Sequence, residues 1–292
     1  MPLWCVKVYY LINIVRITCP RRLPGVTAIL LVPIIAIVFA LSFVLYNSFQ
    51  TKQYYEKAEE ITADLEDEIN TLEDGFKNLG TTVSTSDQGK KSPDVHLELI
   101  KPAKSNINDL EAEYKDLSFS NKAKELDEKI TSAFELTGAF VRKYERTAQF
   151  NKDVYNAYGD TLNNELDSFT KNYYRGGDRV VFITQTERIE NLASDAIKKM
   201  QIINPPDDDK GYYDLKLKHL QNLKSSFSTL NYYYRYSQFD QSQREVASLT
   251  AKTDSINLEL EQNAKKYVTN SSVAQDLTKL KELLEEIDDE YF

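Results

Sequence analysis

The chain has 292 residues, 41% of them hydrophobic and 28% charged, with a formal net charge of −9. Residues 1–46 carry Lys7, Arg16, Arg21 and Arg22 and no acid, a net +4, so −13 falls on the remainder. That sign argues against a nucleic-acid partner, and it leaves the remainder without the basic patch that would hold it to anionic lipid.

Residues 1–25 read as a short basic cytoplasmic or interfacial lead. Leu3 to Ile17 is apolar but interrupted by Lys7 and Arg16, too short for a comfortable span, and Pro20 and Pro24-Gly25 break the chain behind it. Both cysteines, Cys5 and Cys19, lie in this lead, so no disulfide staples the rest.

Val26 to Tyr46 then runs for twenty-one residues without a charge. At about 1.5 Å per residue it covers roughly 31 Å as a helix, enough to cross the hydrocarbon core of a bilayer. It is too long for the apolar core of a cleaved signal peptide and reads as an uncleaved signal-anchor. Four lysines and arginines precede it, against Lys52 and Lys57 soon after it, which places the amino terminus in the cytoplasm and the bulk of the chain outside. Ala36 and Ala40 form a small-xxx-small pair, so a homo-oligomer through span or stalk is an open expectation.

Residues 47–80 read as a juxtamembrane stalk helix. Ala58, Ile61, Leu65, Ile69, Leu72, Phe76 and Leu79 recur at three- and four-residue steps between acids and lysines, and Gly80 is the expected stop. Residues 81–91 are small and polar, a linker, and Ser92-Pro93 is a helix-start pair.

Residues 92–292 are expected to form an elongated antiparallel helical bundle, with a possible subdomain boundary near 175–178 or 204–211. Its first helix runs from Pro93 to about Leu117, kinked or split at Pro102. The next runs from Asn121 to about Tyr174, too long to be straight, with a bend expected near Gly159 or Gln149 to Lys152. Arg175-Gly176-Gly177-Asp178 reads as helix end, turn and next cap. Val180 to Ile203 is the following helix, ended by Asn204-Pro205-Pro206. Leu215 to Tyr234, Ser242 to Val268 and a last stretch from Val273 complete the set. The fold class is therefore all-α: one transmembrane helix continuing into a stalk helix, then a bundle.

Chemistry is sparse. His96 and His219 have no second histidine or cysteine at metal-ligand spacing, so no metal site is expected. Asp207-Asp208-Asp209-Lys210-Gly211 lacks the alternating ligands of a calcium loop and reads as a solvated acidic helix start. No phosphate loop, nucleophile elbow or Cys-His pairing occurs, which points to a non-catalytic protein without a cofactor. Tyrosine stands out, with nineteen in all and Tyr232, Tyr233, Tyr234 and Tyr236 clustered. Adjacent helical residues lie about 100° apart, so these rings cannot share one face, and some of them are candidates for an interface.

The expected function is a membrane-anchored extracytoplasmic bundle at the cell envelope that binds a protein partner or acts as scaffold or spacer. The alternatives are a ligand-sensing ectodomain signalling through a membrane partner and an accessory subunit of an envelope enzyme.

Overall fold

The apolar stripes become buried faces in the computed structural model, which describes the backbone of residues 26–84, 94–117 and 123–292 and the side chains of 38–79, 94–117 and 123–292. The described residues are helical and hold no strand. The helices are α1 (Val26–Ser84), α2 (Asp94–Lys115), α3 (Lys124–Tyr174), α4 (Arg179–Met200), α5 (Lys210–Arg235), α6 (Phe239–Asn270) and α7 (Ser272–Tyr291), with a 3₁₀ turn, Asp207–Asp209, before α5. The lead 1–25, the linker beyond Ser84 and the Ser92-Pro93 start lie outside the described residues.

By its internal contacts the chain divides into residues 1–54 and Tyr55–Phe292. In the first unit Val38, Phe39, Leu41, Phe43, Val44, Leu45 and Tyr46 are all exposed. Among the described residues no helix is long and apolar enough to cross a membrane. The side chains of 26–37, the larger part of the predicted span, lie outside them.

In the second unit every stalk position from Ala58 to Leu79 that was read as apolar is buried. The face they form packs into the bundle. Phe76 meets Phe140 and Tyr144 on α3 and Tyr267 on α6, while Glu73 pairs with Lys281 on α7 at 2.7 Å. Most of the predicted stalk is thus a bundle member rather than a spacer before it. Gly75 permits the close approach, since a Cβ there would stand 2.2 Å from Leu99 Cδ2 and 2.8 Å from the Tyr144 hydroxyl. Gly80 does not stop α1, which continues to Ser84. A glycine inside a helix costs only about 1 kcal/mol, too little to act as a terminator by itself.

Pro102 likewise lies inside an unbroken α2 on its exposed side, where a lost backbone bond is met by solvent. The bend expected in α3 is at Gly159, with φ 69° and ψ 149°. Nothing crowds the place of a Cβ there, so the glycine answers to backbone conformation and not to space.

The bundle has two packing layers that share α3 and α6. One gathers the buried stripe of α1, α2, the first half of α3, α7 and the end of α6 around Phe76, Phe140 and Tyr144. The other gathers the second half of α3 with α4, α5 and the start of α6 around Phe169, Phe182, Phe227 and Leu230. Ion pairs Lys129–Glu286 at 2.9 Å and Lys143–Asp276 at 2.6 Å run along the α3–α7 seam.

Candidate functional site

The tyrosine cluster lies at one end of the second layer, where the α3–α4 and α5–α6 turns meet. Both turns are built alike. After α3, Gly177 N donates to Asn172 O at 3.0 Å and Gly176 N to Tyr173 O at 3.3 Å, with Gly176 left-handed at φ 70°. After α5, Gln238 N donates to Tyr233 O at 2.8 Å and Ser237 N to Tyr234 O at 3.3 Å, with Ser237 left-handed at φ 56°. Each closes its helix by the paired 6→1 and 5→2 bonds of a Schellman turn. Asp178 then caps α4 by accepting from Val180 N at 2.6 Å, so the cap-turn-cap reading of Arg175 to Asp178 holds.

Arg179 joins the two turns. Its Nε donates to Tyr234 O at 2.6 Å, which also accepts from Ser237 N, and its Nη2 donates to Arg235 O, so it adds donors to the last carbonyls of α5. A cation there also suits the negative end of the helix dipole. Asn231 adds a second tie, donating to Ile183 O and Thr186 Oγ1, each at 3.0 Å.

On this frame the four tyrosines separate. Tyr234 is 3% exposed and stacks on Phe182 with centroids 4.9 Å apart, so it belongs to the core. Tyr232 and Tyr236, one turn apart, both face out with ring centroids 4.6 Å apart. Tyr233 is half-buried and edge-on to Tyr232 at 5.8 Å. Tyr174 (81%), Val180, Val181 and Phe239, on the same two turns or beside them, are also exposed. Sequence reasoning did not include these neighbours. The signal was available in the two short turns, which bring the end of α3 and the start of α4 beside the end of α5.

A second arrangement is internal. His96 Nδ1 lies 2.9 Å from the Tyr144 hydroxyl, and burial holds the imidazole below its usual pKa. Tyr267 shares a hydrogen bond of 2.8 Å with Thr147, which donates to Asp209 Oδ2 at 2.9 Å. Asp209 is 4% exposed. Burial lifts its pKa to about 7, with Asp208 adding to the rise and the Thr147 hydrogen bond and Arg146 opposing it. The solvated-helix-start reading therefore applies to the exposed Asp207 and Asp208 but not to Asp209, which the 3₁₀ turn directs inward. Asp208 instead accepts from Ser272 N at 2.8 Å, at the start of α7. Among the described residues no group of acids, histidines and cysteines is placed to hold a metal ion.

His219 stacks parallel to Tyr158 at 6.3 Å, and its Nδ1 has no hydrogen-bond partner. Half-buried Lys216 sits over the rings of Tyr158 and Tyr212 at 5.3 and 5.5 Å. Burial lowers Lys216 to about 8, and burial together with Lys216 lowers His219 to about 4, so this histidine is neutral at pH 7. Comparison of the chain with family models, curated proteins and solved structures finds no match.

Proposed function

We propose that the chain is a single-pass membrane protein with a cytoplasmic amino terminus, whose extracytoplasmic bundle acts by binding a protein partner or as a scaffold at the cell envelope, without catalysis. The observation that carries this reading is the exposure of consecutive apolar residues from Val38 to Tyr46, apart from the half-buried Ser42, because seven or more successive positions reach every side of a helix. A helix that is apolar all round needs an apolar surrounding that the described residues of this unit do not supply, and a bilayer supplies it. The +4 charge of residues 1–46 supports the orientation.

The tip at Tyr174, Tyr232 and Tyr236 is the proposed binding face. Exposed rings with polar hydroxyls, held on a rigid pair of capped turns, are the side chains most often found as anchors in protein interfaces. The test is crosslinking and recovery of partners from intact cells with the full chain and with Tyr232→Ser/Tyr236→Ser. Loss of the recovered partner with an unchanged melting temperature is expected. Unchanged recovery removes the tip from the reading.

A further inference from the structure

An open groove of about 910 Å³ lies along the middle of α3, beside Leu97 of α2 and the segment 202–206 that follows α4. That volume falls within the range that encloses small ligands, roughly 300–1,000 Å³. Its walls mix two chemistries. Leu97, Phe150, Ala157 and Ile203 supply apolar surface. Arg142 and Arg146, one turn apart on α3, and Lys199, in the last turn of α4, supply positive charge.

The charge of this groove runs against that of the chain, which holds 45 acids to 36 lysines and arginines. Of the two acids in the lining, Glu145 pairs with Lys104 at 2.6 Å, while Asp153 accepts from the neutral Gln149 amide at 2.8 Å and keeps its charge, so the three cations still outnumber the acids. Among the described residues no carboxylate lies within ion-pair distance of Arg142, Arg146 or Lys199. Some lysines and arginines of neighbouring surfaces do find such partners, as in Lys143–Asp276, Lys152–Asp94 and Arg188–Glu165. Arg146 also stands near enough to Asp209 to favour its ionised form, but makes no hydrogen bond to it.

Arg142 and Arg146 are exposed on the rim of the groove, the Arg142 guanidinium lying back over Gly138, and guanidinium forks match the paired oxygens of a carboxylate, phosphate or sulfonate. A floor of leucine, phenylalanine and isoleucine has no use for that anion alone. It suits a ligand body that loses apolar area to water on binding. We propose that the groove binds a small amphipathic anion, its acid group held by Arg142 and Arg146 with Lys199 facing them, and its apolar body seated against Leu97, Phe150 and Ile203. This site is remote in sequence from the tyrosine tip and lies wholly within Tyr55–Phe292.

The test is calorimetric titration of the full chain in phosphatidylcholine nanodiscs with 3-phenylpropionate, its uncharged counterpart 3-phenylpropanol, and inorganic phosphate. The carboxylate is expected to bind most tightly, the alcohol and phosphate about tenfold or more weakly, and Arg142→Gln/Arg146→Gln to lose about tenfold or more of the carboxylate affinity at an unchanged melting temperature. Repeating the titration in phosphatidylglycerol nanodiscs separates the sources of the anion. Competition there identifies a lipid headgroup with its chain, and equal affinity identifies a free solute. Equal binding of acid and alcohol, affinity unaffected by the double substitution, or no heat from any of the three probes would overturn the proposal.

Discussion

Residues 38–46 and 58–79 both belong to α1, and both are rich in large apolar side chains, yet their patterns are opposite. In 58–79 the apolar residues keep to one stripe, the intervening positions are largely Glu, Asp, Asn and Lys, and the stripe is buried. In 38–46 they occupy every side and are exposed. The two patterns differ in what they need to cover them. A stripe is what other helices of the same chain can cover, and here α2, α3 and α7 do so. A helix apolar on all faces needs a continuous apolar surrounding, and the large apolar side chains of 38–46 are exposed.

The comparison can be broken most severely at Phe76, which touches Phe140, Tyr144 and Tyr267 and is 1% exposed. Phe76→Ala is expected to lower bundle stability by about 3–5 kcal/mol in chemical denaturation while leaving membrane retention unchanged. The reciprocal experiment places charges in the other segment. Val38→Lys with Leu41→Lys is expected to cost about 2.5–3.5 kcal/mol per charge where it lies near the bilayer centre, and less toward the interface. Release of the chain by alkaline carbonate with an unaltered bundle melting temperature is the expected result. A loss of stability in place of release would mean that 38–46 packs as 58–79 does.

A smaller effect probes the interior. Asp209 has its folded pKa raised from 3.8 to about 7, so the folded state holds a proton that the unfolded state has lost in this interval. Stability from this group is therefore full below about 4 and falls as pH rises toward about 7. His96 and His219, both held neutral by burial, give the opposite slope below their usual 6.5. The informative quantity is the difference between the chain and Asp209→Asn, which is expected to decline from pH 4 to 7 and level off above. A flat difference would remove the buried acid from the account. Smallest of all, Ser237→Gly relieves a left-handed serine at φ 56° and should raise stability by about 1 kcal/mol in thermal melts, with no effect on membrane retention or partner recovery.

Much of this bundle was legible in the sequence because helical burial is periodic. Leu65, Ile69, Leu72 and Phe76 announce their stripe at three- and four-residue steps, and Gly159 and the Arg175–Asp178 turn mark where α3 bends and ends. Periodicity does not say which stripe faces which. The partner of Glu73 on α7, Lys281, lies 208 residues further on, which is why residues 47–80 read as a free stalk. The spread of the tyrosines also followed from the 100° step. That Tyr234 turns inward was decided by Phe182, a residue of another helix. Asp209 was misread because Asp207 and Asp208 before it are exposed acids, and only the 3₁₀ turn and Thr147 turn it inward. Arg142, Arg146 and Lys199 carry no motif, since their convergence exists only once α3 and α4 are packed.

The central claim, a bundle held outside the membrane by the segment that includes 38–46, is tested most directly by a protease added to intact cells expressing the chain with an epitope tag after Phe292. The account predicts that the tag is removed without lysis while the shortened chain stays in the carbonate-resistant membrane fraction. A tag that survives external protease and is cut only after lysis would contradict it.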